Sequence, residues 1–583
     1  MQNPLQQTAE KIAAQLDAGQ FKFAAKSARA AFKKHPKSGE FANLAGSALS
    51  NLGQHPLASS YFLKALKLSP GHEELQNNLV QSLIMADQRD KARELIDRFL
   101  TNRDAPAHLY FLRALSHNDQ GEEQAVIEAA SQALQHAPEM VPALNIRGLA
   151  LAEIGEIDEG LADLEKAQAL NPTDPDTLTY ISPLLAKRLR NEEAYQVALK
   201  AVQLAPNHFG ARYNLASQLT TMGRFEEAAE HFYKVLDLNP THGFALFELA
   251  QSQTRDQNEA FLPQLQAALG KTRRNSFDFV LASFGLGNIL LRQGDERGAT
   301  KHLAMANKAA ASLRPYDPAH AEREFEAICE HSKGLKQTGT SEGNTTLQPI
   351  FVLGQPRSGT TLTEMILTAH SDVISCGELE AGPDAMVAFE DYSRPFDADL
   401  FKLRYLRHLP ADTKGANRFV DKMPGNYRFI GHLLTAFPEA RVVHIARDPR
   451  DVAWSMWRNY FFGNWMNFTY NMNWMAHQAN LYRRYMNLWD QRYPDQILSL
   501  DYADIVADVE LASRKLADFC GLNWTEAMAA PEKNAAQVNT ASVVQVRQGV
   551  HKKSVGGWRA MEPSLRPFND ALDRDLWPEL DLD

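Results

Sequence analysis

The chain has 583 residues, 44% of them apolar and 23% charged, with a formal net charge of -10. That length exceeds a single hydrophobic core and the composition is that of a folded soluble protein. The acidic balance excludes a general nucleic-acid-binding surface, though not a local basic pocket. No run of eighteen apolar residues suggests a membrane span, and the N-terminal MQNPLQQTAEKIAAQLD lacks the layout of a secretory signal. Cys329, Cys376 and Cys520 are scattered, without metal-ligand or disulfide spacing, so a reducing cytoplasm is the expected compartment and no metal is expected. The acidic stretch from Asp570 to Asp583 reads as a solvated end.

A 34-residue period runs through the first half. Prolines stand at 36, 70, 138, 172, 206 and 240, and only position 104 breaks the ladder, with Pro106 beside it. Twelve residues before each rung stand Ala24, Ala58, Ala92, Gly160, Ala194 and Ala228, with Val126 as the larger member. Bulky residues follow at Phe62, Ile96, Leu164 and Phe232, further small residues recur at Ala65, Ala133, Ala167 and Ala201, and Gly46 and Gly148 lie in first helices. The pattern describes two antiparallel helices per unit: small residues where backbones approach, a bulky residue in the adjoining gap, and proline after the second helix. It resembles the tetratricopeptide repeat (TPR) over about residues 1–310, with an irregular stretch near 255–275 and a looser copy around Gly287, Ala299, Leu303 and Ala306. Such repeats are stable only as a stack. The alanines and aromatics are core residues, and the array would present a surface to a protein or peptide partner or to the domain that follows it in its own chain. Its oligomeric state is left open.

From His331 to Gln348 the sequence is rich in Gly, Ser, Thr and Lys, as a flexible connector would be. Beyond it the helical period gives way to strand-like runs at 350–353, 441–446 and 496–500, separated by helical stretches, the mark of a parallel sheet with crossover helices. The expected division is an all-α array over 1–315, a helical end and linker over 316–349, and a P-loop-like α/β domain over 350–583.

The first strand enters Gln355-Pro356-Arg357-Ser358-Gly359-Thr360-Thr361 and then a helix. Glycine permits close backbone approach, the helix N-terminus favours an anion, and Ser358, Thr360, Thr361 and Arg357 supply donors. A nucleotide P-loop needs lysine where Thr360 stands, so a kinase reading, with its magnesium, loses ground.

The loop resembles the 5′-phosphosulfate loop of sulfotransferases, and its arginine form resembles tyrosylprotein sulfotransferases. Further resemblance lies in Ala369–Val373 with Cys376-Gly377-Glu378, in Asp421–Tyr427, in Arg447–Ser455, and in Asn539–Gln548, which are similar to bacterial sulfotransferases that carry TPR arrays. The match runs in order over about 350–560. It implies 3′-phosphoadenylyl sulfate (PAPS) as donor, with Arg447 and Ser455 on its 3′-phosphate and Tyr502 near the adenine. By the same resemblance Glu378 is the base that deprotonates a hydroxyl acceptor. Lys422 and Ser542 steady the leaving group together with Arg357, and Arg547 and Lys552 complete the donor-binding set. His370 is a rival base.

Two departures stand out. Gly557 precedes Trp558 where related proteins carry a basic residue, for which Lys552, Lys553 or Arg559 would have to compensate. Leu379, Glu380 and Ala381 lack the arginine with which tyrosylprotein sulfotransferases hold an acidic peptide, so peptide tyrosine, sugar, lipid and small-phenol hydroxyls all remain open as acceptors. The competing reading is a TPR interaction scaffold whose sulfotransferase-like domain is inactive. Five tryptophans between 454 and 489, among other aromatics, read as a helix-packing face or an acceptor pocket.

Overall fold

The computed structural model describes residues 4–101, 106–118, 120–335, 348–389, 392–409, 416–534 and 550–582. Nineteen helices lie between Pro4 and Lys333 among these residues, and the five strands follow them. The chain forms two compact units, Met1–Leu185 and Ala186–Asp583.

In the first unit, helices alternate through short turns, as in Gly39–Asn51 with His55–Leu68 and Val141–Glu153 with Ile157–Leu170. The proline ladder has a direct structural counterpart. The helices ending at Lys34, Leu68, His136 and Leu170 each stop two residues before a proline, which disfavours helical geometry at the residue preceding it. Where the ladder breaks, the corresponding helix Arg89–Phe99 has 11 residues instead of 14.

The small positions mark close backbone approach. A Cβ on Gly160 would lie 2.5 Å from the Gly148 carbonyl oxygen, and one on Gly46 would lie 2.6 Å from the Phe62 ring. Gly160 sits in a helix, where alanine ordinarily adds about 0.5–1 kcal/mol of stability. Here Gly160→Ala should instead destabilise the fold by about 1–3 kcal/mol through overpacking, read as a lowered denaturant midpoint.

The second unit begins within the repeats. The sequence marks 255–275 as irregular, whereas the structure has a 15-residue helix, Arg255–Leu269, with Pro263 inside it. Its start is fixed by a capping box in which Thr254 and Gln257 exchange hydrogen bonds, a local signal that outweighs the interrupted period. Helices Phe277–Gln293 and Glu296–Leu313 form the last pair, with a Cβ on Gly287 only 2.7 Å from Leu303. Helix Pro318–Lys333 follows and takes in His331, Ser332 and Lys333, which the sequence assigns to the connector. Residues 336–347 of that connector lie outside the described residues.

The sheet is wholly parallel, with strands β1 (Gln348–Gly354), β2 (Val373–Ser375), β3 (Arg418–Asp421), β4 (Arg441–Ala446) and β5 (Ile497–Asp501) in the order β2-β3-β1-β4-β5. Residues Phe351 and Leu353 of β1, Phe419 of β3 and Val442 of β4 join one hydrophobic cluster with Phe247, Phe284, Leu303 and Ile328 of the repeats. Ile350, Val352, Val443 and Ile445 face the opposite cluster, with Leu516 and Met528. The repeats from Phe247 onward thus share a core with the sheet, which explains why the second compact unit does not begin at the composition change near 350.

The tryptophan-rich stretch is mostly packing: Trp454, Trp457 and Trp489 are buried in the shared cluster. The acidic C-terminal stretch is not merely solvated. Leu572 and Trp577 are buried, Trp577 donates to the Asn480 side chain at 3.1 Å, and Arg483 pairs with Glu579 at 2.5 Å. Two apolar anchors hold the acidic residues against the helix Met472–Arg492.

Candidate functional site

Because every strand runs the same way, the carboxyl ends of all five open onto one edge of the sheet, where open α/β folds bind ligands. Read across that edge, Glu378 follows β2, Lys422 follows β3, the loop 355–359 follows β1, Arg447 follows β4 and Tyr502 follows β5.

The loop turns sharply into helix Thr360–Thr368. Arg357 adopts a φ of 71° and Gly359 a φ of 113°. A Cβ on Gly359 would lie 2.3 Å from the Tyr502 ring, so the glycine is required by the tyrosine packed against it. Arg357 Nε donates to Ser455 Oγ at 3.0 Å, and Arg447 donates to the Arg357 carbonyl at 2.8 Å. The Arg447 guanidinium also lies 4.4 Å from the centre of the Tyr502 ring and donates to the Ser554 carbonyl at 2.6 Å. The residues picked from sequence, Arg447, Ser455 and Tyr502, therefore meet around Arg357.

This corner is strongly cationic. Burial and the adjoining charges of Arg458 and Arg447 push the Arg357 guanidinium down to about 9. Burial also lowers Arg447 and Arg458. Two polar atoms here, Ser358 Oγ and Arg447 Nε, are buried without a hydrogen-bond partner among the described residues. Orphaned donors beside crowded positive charge give this corner the chemistry that suits an anion.

The other half of the edge is a carboxylate–ammonium group. Lys422, fully buried, lies 2.5 Å from Glu378, whose side chain is 37% exposed, and 3.9 Å from Glu364. Glu364 also accepts from Ser375 at 2.6 Å, and burial raises its carboxyl above the usual range. Next to Lys422, Asp421 accepts from Tyr405, from Asn426 at 2.7 Å and from the Leu379 amide at 3.4 Å.

Sequence reasoning missed Arg458, Glu364, Asp451 and Ser554. Arg458 was detectable, since it lies three residues after Ser455 and so shares its helix face. Asp451 accepts from the amides of Gly556 and Trp558 at 2.7 and 3.1 Å, fastening the 550–561 segment to the site, a pairing no local spacing announces. Lys552 is exposed, and contact with Arg447 and Tyr502 is made by Ser554. A Cβ on Gly557 would meet only Asp451 Oδ1, at 3.9 Å, so a side chain there has room. Ser542 and Arg547 lie outside the described residues. His370 lies just beyond the opposite end of the Thr360–Thr368 helix, where it accepts from the Asp372 amide at 3.1 Å. Nine residues of helix span about 13 Å, so His370 shapes a turn at a distance from the loop.

Residues 349–526 match the sulfotransferase family. Residues 11–73 and 209–242 match tetratricopeptide-repeat models. Over 446 residues the chain is 32% identical to an uncharacterized protein of Aquifex aeolicus, a match covering 71% of this chain and 57% of that relative. Over 67 residues it is 36% identical to nodulation protein H of Rhizobium tropici, covering 12% of this chain and 27% of that one. Both matches thus span less than two thirds of the relative. Among solved structures, a thermophilic TPR protein of Thermus thermophilus is 23% identical with a TM-score of 0.29, covering 31% of this chain and all of that one. The site described above lies at the strand ends of the region that matches the sulfotransferase family, downstream of the segments that match tetratricopeptide-repeat models. No helix among the described residues is long and apolar enough to cross a membrane, and no group of three potential metal ligands occurs among them.

Burial raises Asp421 from the ordinary 3.8 to about 7. Between those values the folded protein keeps a proton that the unfolded chain has lost, so this group makes stability fall as pH rises from about 4 to 7. Asp421→Asn should flatten that part of the curve of melting temperature against pH. An unchanged slope would place the proton elsewhere.

Proposed function

We propose that the C-terminal domain transfers a sulfuryl group from PAPS to a hydroxyl acceptor and that the TPR array recruits the acceptor or a protein partner. The observation that carries this reading is the meeting, on one sheet edge, of the Arg357–Arg447–Ser455 cluster and the Lys422–Glu378 pair.

The donor fits the residues present. It is a polyanion, and the buried, partnerless Ser358 Oγ and Arg447 Nε are donors of the kind it requires. In this reading Arg357, Ser358, Gly359, Thr360 and Thr361 hold the 5′-phosphosulfate, with amides at the helix N-terminus. Arg447 and Ser455 hold the 3′-phosphate, Tyr502 flanks the adenine, and Ser542, Arg547 and Lys552 complete the enclosure.

PAPS supplies a sulfuryl group joined to phosphate through a bridging oxygen. Glu378, the exposed partner of the ion pair, takes the acceptor's hydroxyl proton as its oxygen bonds to sulfur. The sulfur–bridging-oxygen bond breaks, and that oxygen keeps the electron pair. Lys422, assisted by Arg357 and Ser542, stabilises the charge gathering there. Lys422 must turn from Glu378 to do so, and Glu364, 3.9 Å away, remains as its buried counter-charge. Peptide tyrosine, carbohydrate, lipid and phenolic hydroxyls all offer the required nucleophile.

Adenosine 3′,5′-bisphosphate, the product nucleotide, should raise the melting temperature of the wild-type protein, and Arg447→Ala should abolish that rise. Incubation with sulfur-labelled PAPS and cell extract should label an acceptor, with Glu378→Gln lowering the rate by about 10²–10⁴-fold while leaving nucleotide binding intact. An unlabelled extract together with normal nucleotide binding would instead support an inactive scaffold.

A further inference from the structure

Helix Pro449–Trp457 carries Ser455 toward Arg357 and ends at Arg458, whose charge adjoins Arg357. A helix C-terminus leaves its last carbonyls without intrahelical partners, and they are commonly satisfied by a left-handed glycine turn. This helix has no such glycine: Arg458 at φ -93° is followed by Asn459 and Tyr460. Asn459 takes the Ser455 and Met456 carbonyls, at 2.7 and 3.0 Å, and the last two carbonyls, of Trp457 and Arg458, are taken by side chains from the last repeat pair. Asn307 of helix Glu296–Leu313 donates to the Trp457 carbonyl at 2.7 Å, and Asn288 of helix Phe277–Gln293 donates to the Arg458 carbonyl at 2.9 Å. Both asparagines are buried, and Asn307 Nδ2 also donates to the Leu303 carbonyl at 2.9 Å. Two carbonyl acceptors fix which end of the amide faces them.

The grip continues past the helix end. Arg314 donates to Tyr460 Oη at 3.0 Å and to the Phe461 carbonyl at 2.9 Å, and Phe244 stacks on Phe462 with centroids 5.2 Å apart. Four repeat residues therefore hold the last helical residue and four of the five that follow it.

We infer that Asn288 and Asn307 are positioning residues of the anion site: the last repeat pair, by capping this helix, sets where Ser455 and Arg458 stand relative to Arg357. A displacement near 1 Å at such a site costs up to about a hundredfold. The inference rests on the donor reading above for its ligand, but its geometry stands without that reading.

The test uses the full chain with Asn288→Leu and Asn307→Leu, near in volume but without the donor, and Asn307→Ala, uncharged and smaller, should a leucine variant fail to fold. Glu322→Gln is the control, because Glu322 pairs with Arg484 across the same interface away from the helix end. Two quantities are read: affinity for adenosine 3′,5′-bisphosphate by titration calorimetry, and amide exchange over residues 458–462 in the ligand-free protein. The asparagine variants should bind the nucleotide at least about tenfold more weakly and exchange faster over 458–462, whereas Glu322→Gln should lower the melting temperature with neither effect. Wild-type affinity and exchange in the asparagine variants, or equal losses in Glu322→Gln, would overturn the inference. If the wild type does not bind the nucleotide, the donor reading fails, and exchange over 458–462 alone decides whether the asparagines position the helix.

Discussion

Five strands pointing the same way force five carboxyl ends onto one edge, and five groups of the candidate site are placed by that constraint. Glu378, Lys422, Arg357, Arg447 and Tyr502 come from segments up to 145 residues apart, yet each leaves the end of a strand. The strand order then sorts them: the carboxylate and ammonium follow β2 and β3, the arginines follow β1 and β4, and Tyr502 closes against Gly359 from β5. A carboxylate–ammonium pair and a cluster of arginines side by side are thus a consequence of topology before any fine packing.

Packing adds the second layer. The sheet buries both faces, as parallel sheets do, and one of its covers is supplied by the repeats. Polar contacts fix the register of that cover. Arg428 pairs with Glu324 at 3.0 Å, Arg484 with Glu322 at 2.8 Å, and Tyr316 donates to Gln478 at 2.9 Å. Partly buried ion pairs add little net stability, but breaking one leaves an uncompensated charge, so they penalise misplacement. The repeats from Phe247 onward therefore serve as one wall of the α/β domain, which answers for that part of the array the question of what surface it meets.

Legibility in the sequence followed the range of the interaction involved. The proline ladder and the Gly46–Phe62, Gly148–Leu164 and Gly287–Leu303 spacings were visible because helix pairs pack against near neighbours. The runs that became β1, β4 and β5 were visible as apolar strands, whereas β2 and β3, with three and four residues, were too short to show a period. The loop from Arg357 to Thr361 was legible from its strand–turn–helix context. Ser554, Asp451 and Glu364 were not, because each acts on a residue distant in sequence with no fixed offset.

By itself the sequence determined the repeat period, the α-then-α/β order, the glycine loop and the residue types gathered near it, since these follow from local propensity and short-range spacing. Only the tertiary structure decided that the compact unit begins at Ala186, that Asp451 fastens the 550–561 segment to the site, and that Asn288 and Asn307 close a helix 170 and 150 residues downstream. Those outcomes depend on which distant surfaces come into contact, and side-chain amides and carboxylates carry no mark in the sequence of the partner they will meet.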